Sequence, residues 1–221
     1  MPFIEDGFEI VNDFVEPSYL DKIKTEVEVS NLKIKGGGIR NAEKKFHSVQ
    51  ALLNLGVLSE LASSYLGKKS SLVRVILFDK TPSNNWLVTW HQDKTIAVSS
   101  KKEIEGWGPW SIKGECHHVQ PGINVLNSMV TFRLHLDEST KENGCLRVIP
   151  GSHRWGVLKQ EEIINYVQDA IPVQCIAKRY SALVMRPHIL HASSKATEPS
   201  SRRVLHVEYS SYTLPNGLSW A

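Results

Sequence analysis

A chain of 221 residues with 41% hydrophobic and 22% charged residues has the material for a packed core, and reads neither as a disordered segment nor as a fibre. Its 26 Lys and Arg against 23 Asp and Glu leave +3, too small an excess to expect nucleic-acid binding, and the basic runs at 33–40, 44–45 and 101–102 lack interleaved aromatics and read as solvated surface. Three cysteines without CxxC spacing, no 18-residue apolar run and the acidic start MPFIEDGFEIV argue against a disulfide scaffold, a membrane span and an export signal, so a cytoplasmic setting is expected.

Phe8 to Val11 reads as a short strand, and Pro17 opens a helix through about Val29 with Leu20, Ile23 and Val27 on one side. KGGGIRNAEKK is loop-like but lacks the Lys-Ser/Thr of a phosphate loop. One helix is expected from His47 to Leu66, stopped by Gly67. From Ser71 the character changes. LVRVILF, WLVTWHQD, VTFRLHL, CLRVIP, VQCIAK, SALVMR and RVLHVEYS are short apolar runs separated by Gly, Pro, Asn and Ser, with a turn at 81–84 and one short helix between about Leu158 and Val167. Many short strands without long intervening helices point to a sandwich or barrel, with a helical support over about 1–70 and a β core over about 71–212 in a single domain spanning 1–221. The stretch GWGPWSIKGECHHVQPG, between two expected strands, reads as a loop capping a site.

Nine histidines offer metal-binding chemistry. In His91-Gln92-Asp93 an extended backbone turns an imidazole and a carboxylate to one side, and a distant histidine would complete a two-His, one-carboxylate face. His135-Leu136-Asp137 has the same spacing, on a strand that could also direct Thr131 and Arg133 the same way. His188, His191 and His206 are all eligible as the third ligand. Spacing alone leaves both choices open. Ser152-His153 with Asp137 could suggest a hydrolase, but the Gly-x-Ser-x-Gly elbow is missing and the segment fits a tight turn, with His153 bonding the Asn143-Gly144 loop.

From Arg74 to about Tyr212 the sequence resembles the phytanoyl-CoA dioxygenase family. HLDESTKENGCLRVIPGSHRWG carries the resemblance most strongly, through Glu-Asn-Gly-Cys-Leu and Ile-Pro-Gly-Ser-His; WHQDKT lies upstream, and HASS with RRVLHVEYS downstream. The resemblance implies a double-stranded β-helix, or cupin-like jelly roll, and an iron(II), 2-oxoglutarate-dependent dioxygenase. It makes His91, Asp93 and His191 the iron ligands and Arg202 the partner of the cofactor's distal carboxylate. Arg203 would then point the other way on an extended strand, toward solvent or an acid, and His135-Asp137 would be structural.

Thr131, Thr95 or Ser193 could add a hydroxyl beside Arg202. Arg133, between Phe132 and Leu134, must find an anion if it faces the cavity, either a ligand carboxylate or an acid such as Asp137. Trp107 and His118 in the capping stretch are candidate substrate contacts, Trp86 and Trp90 are expected on one side of their run, and Trp90 should pack the metal strand into the core. The expected reaction is hydroxylation of a small molecule, a free acid or amino-acid-like intermediate, with molecular oxygen, in a monomer or weak homo-oligomer. With no basic pocket for a CoA nucleotide and no peroxisomal address at Ser219-Trp220-Ala221, phytanoyl-CoA itself is not the expected substrate. Asp93 argues against halogenation. A non-catalytic jelly roll binding metal or a small molecule is the alternative.

Overall fold

Alternation along three long strands sets the layout. In the computed structural model, which describes residues 2–30, 32, 38–198 and 200–221, β3 (Ser71–Lys80), β8 (Met129–His135) and β13 (Arg202–Ser210) lie side by side with antiparallel register. Val75, Leu77, Phe132, Leu134, Leu205 and Val207 point to one face. There they pack on Leu20 and Ile23 of α2 (Pro17–Val29), Val49 and Leu52 of α3 (His47–Asn54) and Leu58 of α4 (Val57–Leu66). Each fully buried aliphatic side chain of this layer contributes on the order of 2 kcal/mol relative to exposure. The helices thus cover one side of the sheet, and the opposite side carries the residues in between, polar ones such as Arg74, Arg133 and Arg202 together with Ile76, Phe78 and Val204.

With α1 (Pro2–Glu5), β1 (Phe8–Val11), β2 (Ile39–Arg40) and β11 (Ala182–Met185), the large sheet has the order β1-β11-β8-β13-β3-β2. A second sheet joins β4 (Val88–His91), β9 (Leu146–Val148), β10 (Val173–Gln174) and β12 (His191–Ser193) in the order β10-β9-β12-β4. A third holds β5 (Ile96–Val98), β6 (Trp110–Lys113) and β7 (Cys116–Val119). The helices α5 (Ile123–Asn127) and α6 (Gln160–Asp169) fill two connections. The non-consecutive neighbours, β1-β11-β8-β13-β3 in the large sheet and β9-β12-β4 in the second, make this a mainly β double-stranded β-helix, a jelly roll with N-terminal supporting helices. No helix among the described residues is long and apolar enough to cross a membrane.

Several sequence expectations need correction. The helix expected over His47 to Leu66 is two, because Gly56 at φ 78 takes a left-handed conformation that ends the first and opens the second. The capping stretch is an ordered hairpin, β6 with β7, which pairs on to β5. Within KGGGIRNAEKK, 35–37 lie outside the described residues, as do 33 and 34 of the basic run, whereas Ile39–Arg40 is strand and Ala42–Lys44 a short 3-10 turn. His153 packs against Gly7 rather than the Asn143-Gly144 loop; a Cβ at Gly7 would lie 2.3 Å from its Nδ1.

Candidate active site

β12 and β4 pair so that His191 faces His91, and their ring centroids are 4.2 Å apart. Asp93 follows the end of β4, where its backbone N–H donates to the Pro187 carbonyl at 3.0 Å. Its two carboxylate oxygens then lie 3.8 Å from His91 Nε2 and 3.6 Å from His191 Nε2. The three ligand atoms are all within 4.8 Å of one another, the spread expected of groups that share one ion. Both imidazoles place Nδ1 against a backbone carbonyl, Thr89 O at 2.9 Å and Ile189 O at 2.8 Å. Nδ1 therefore carries the proton, and each Nε2 lone pair is left for a metal. Burial first, and His91 beside it second, push His191 down to about 3, so it is neutral near physiological pH. Burial opposes ionisation of Asp93, but His191, His91 and Arg74 outweigh it and hold the carboxyl well below its usual range. The donor set fits ferrous iron.

The recognisable sequence block shapes this site from behind. Gln92 donates to the carbonyls of His188 and Gly156 and accepts from Leu158 N–H, tying the metal strand to the loop after β9. Ser152, fully buried, donates to Ile149 O and accepts from Leu190 N–H, one residue before His191. Its hydroxyl is committed to structure, which removes the hydrolase alternative. Asn143 clamps its loop through Thr140 N–H and Glu138 O, and Gly144 approaches Ser194 so closely that a Cβ would lie 2.5 Å from its carbonyl oxygen.

Of the rival histidines, His206 has both nitrogens engaged. Arg133 Nη1 donates to its Nδ1 at 3.1 Å, and its Nε2–H donates to Glu208 at 2.8 Å, which also pairs with Arg74 at 2.7 Å. Asp93, His206 and Glu208 form a second compact group of potential ligands, but both nitrogens of His206 are already bonded. His188 is fully buried, against the ring of His153. His135 bonds the Ser181 carbonyl, and Asp137 leaves the strand to meet Arg203 and Lys24.

A cavity of about 280 Å³ opens over the triad, and Arg133, Ser193 and Arg202 line it with Thr95 and Trp86. Alternation separates the two adjacent arginines. Arg203 turns to the helix side and pairs with Asp137 and Glu28; Arg202 turns inward and is 4% exposed, with no partner for its Nε among the described residues. Burial first and Arg133 second push Arg202 down to about 10. Such a charge is tolerated where a ligand supplies the anion. Lys80, the register partner of Arg202, is buried on the same face; burial and then Arg202 push it down to about 8. Its ammonium donates to Ser194 O and Ser193 Oγ and lies over the Trp86 ring. Ser193 donates in turn to the Gly144 carbonyl. Sequence reading missed Lys80, although its place on the inward face of LVRVILFDK was a usable signal.

Thr131 is not brought to Arg202. It stands opposite Glu208, six residues along β13, and its hydroxyl has no partner among the described residues. Trp107 packs with Ile96, Val119 and Leu126 in a separate apolar cluster, and His118 is buried beside Arg74 instead of lining the cavity. Among the described residues Arg133 pairs with no acid: it bonds neutral His206 and stacks over Phe78 at 5.2 Å. Trp86 and Trp90 diverge, the first into the cavity and the second against the cluster beneath α6, because the regular strand begins only at Val88.

The family model described as Phytanoyl-CoA dioxygenase (PhyH) matches residues 3–204. No curated protein matches. Among solved structures, AviO1 from Streptomyces viridochromogenes Tue57 is similar over 97% of this chain and 94% of its own, with TM-score 0.69 and 20% identity. SnoK, the non-haem α-ketoglutarate-dependent carbocyclase of nogalamycin biosynthesis, matches over 94% and 81%, with TM-score 0.70 and 15% identity. EctD from S. alaskensis, solved with 2-oxoglutarate and 5-hydroxyectoine, matches over 95% and 73%, with TM-score 0.69 and 17% identity.

Proposed function

This chain belongs to the phytanoyl-CoA dioxygenase family of non-haem iron(II), 2-oxoglutarate-dependent oxygenases, and from that premise we propose that it hydroxylates a carbon of a small acidic molecule bound over His91, Asp93 and His191. The observation that carries this reading is the pairing of two chemistries in one cavity. Two imidazoles and a carboxylate converge with the Nε2 lone pairs free, and the Arg202 guanidinium, with no partner for its Nε among the described residues, is buried nearby. Bound iron and 2-oxoglutarate supply the oxidising chemistry, with oxygen consumed and succinate and carbon dioxide released.

The protein's part is placement. Arg202, with Lys80 beneath it, suits the far carboxylate of the cofactor, because a guanidinium stays charged and offers a two-pronged donor. Arg133, held by His206, adds positive charge between that end and the metal ligands. Ser193 lines the same cavity, but its proton is given to Gly144, so its share is the fixing of Lys80. A cavity of about 280 Å³ is at the small end of ligand sites, which span roughly 300–1,000 Å³. It suits the cofactor with a small substrate and is too small for an acyl-CoA. We place the activity in a single domain over 1–221 and in the cytoplasm, a setting supported by three free cysteines. The test is incubation with iron(II), 2-oxoglutarate, oxygen and a panel of small acids. A product heavier by one oxygen atom, formed with stoichiometric succinate, supports hydroxylation. Loss of two hydrogens would assign desaturation or ring closure, and absence of succinate would leave a non-catalytic binder.

A further inference from the structure

The cavity has a second charged end. Along β13 the inward residues run Arg202, Val204, His206, Glu208, so Glu208 lies about 20 Å of strand from Arg202 at roughly 3.3 Å per residue. At that end stand three cations from three strands, Arg74 on β3, Arg40 on β2 and Lys113 on β6, all lining the cavity. The hairpin that carries Lys113 is drawn over β2 by Asn41, whose Nδ2 donates to Gly114 O at 2.9 Å. Gly114, at φ +57, makes the approach possible, since a Cβ there would lie 3.1 Å from the Arg40 side chain.

The charges do not cancel. Glu208 pairs with Arg74 and also accepts from His206. Among the described residues neither Arg40 nor Lys113 has an ion pair or a side-chain hydrogen bond. Burial first and Arg74 second hold Arg40 below its ordinary range, and burial and then Arg40 lower Lys113. His118 adds no charge near neutral pH, because burial and then Arg74 push it down to about 4. Arg40 is half-buried and Lys113 is exposed at the cavity rim, and neither side chain is paired with an anion among the described residues, so both are open to an anionic ligand in the cavity. The cofactor is spoken for elsewhere, at the metal ligands and Arg202.

We propose that Arg40, Lys113 and Arg74 form a second anion subsite that holds a carboxylate of the substrate, so that the carbon attacked lies a few bonds from that group. This inference rests on the oxygenase reading above, which puts 2-oxoglutarate at the Arg202 end. Arg40 provides the fork for the carboxylate, Lys113 meets it at the rim, and Arg74, already paired, fixes the position of its neighbours. The subsite selects acids over their neutral isosteres.

The test uses full-length protein loaded anaerobically with manganese(II) and 2-oxoglutarate, titrated calorimetrically with straight-chain carboxylates from acetate to hexanoate and with the matching primary amides. At least one carboxylate should bind saturably, about 10-fold or more tighter than its amide, and Arg40→Gln with Lys113→Gln should remove that advantage. The same double variant should bind 2-oxoglutarate as the wild type does, which also shows that it folds. Equal binding of acid and amide, an unchanged preference in the double variant, or no saturable binding of any acid overturns the subsite. Failure of wild-type protein to take up 2-oxoglutarate would instead overturn the oxygenase reading beneath it.

Discussion

Replacing Arg202 with Met should stabilise the cofactor-free protein while removing its hold on 2-oxoglutarate. Arg202 is 4% exposed, its Nε has no partner among the described residues, and the charged groups beside it, Arg133 and Lys80, are cations. A fall from an ordinary 12.5 to about 10 corresponds to roughly 3 kcal/mol, at about 1.4 kcal/mol per tenfold change in proton affinity. The sign is unambiguous: the folded value lies below the unfolded one, so folding disfavours the charged form, and the cost is fully present at any pH below about 10. Methionine keeps an unbranched stem and carries no charge. After some loss of packing, the apo protein should gain about 1–2 kcal/mol in urea unfolding near neutral pH. Losing two charge-assisted hydrogen bonds should weaken 2-oxoglutarate by about 3 kcal/mol, on the order of 100-fold. Equilibrium titration of iron-loaded protein under argon reads the second effect. A variant less stable than wild type by more than about 1 kcal/mol, or one binding the cofactor within about threefold of wild type, would refute the assignment of Arg202 as a charge waiting for an anion.

Three further outcomes follow from the same geometry. Arg203→Met, on the opposite face of the strand, should lower stability by about 2–3 kcal/mol by breaking the pairs with Asp137 and Glu28, yet leave 2-oxoglutarate affinity as it was; unfolding and cofactor titration on one sample separate the effects. His188→Leu should retain iron uptake and stay within about 1 kcal/mol of wild-type stability, because the ring is fully buried with neither nitrogen bonded among the described residues; loss of iron in this variant would make His188 the ligand in place of His191. Burial pushes His118 and His188 down to about 4 and His135 down to about 3. Below an ordinary 6.5 the unfolded chain takes up protons that these buried rings refuse, so stability should fall from pH 6.5 towards pH 4, by up to about 2 kcal/mol per histidine at pH 5. Urea midpoints flat across that range would show these rings are not held neutral.

The sheet-forming runs were legible because apolar residues recur at every second position where one face is packed on helices. The same alternation predicted that Arg202 and Arg203 would part company. It left open whether Arg133 faces the cavity and what it meets there: it lines the cavity and bonds His206 on the neighbouring strand, and strand order does not show in a single run. Thr131 was misplaced for the same reason, since its distance from Arg202 depends on the register of β8 against β13. The cap expected over the site turned out to be a hairpin because Gly114-Glu115, both at positive φ, form a tight turn inside what read as irregular loop. Arg40 was read only as the end of a solvated basic run, and Lys113 drew no attention in the sequence. They lie 73 positions apart and meet only because a glycine lets two strands close up.

The central claim is that His91, Asp93 and His191 act together on one iron. The direct measurement is iron content and 2-oxoglutarate-dependent succinate release in wild type and Asp93→Ala, purified and reconstituted anaerobically. Wild type should hold one iron per chain and release succinate, and the alanine variant should lose both while retaining its fold by circular dichroism. Wild-type iron uptake and succinate release in the folded variant would contradict the account.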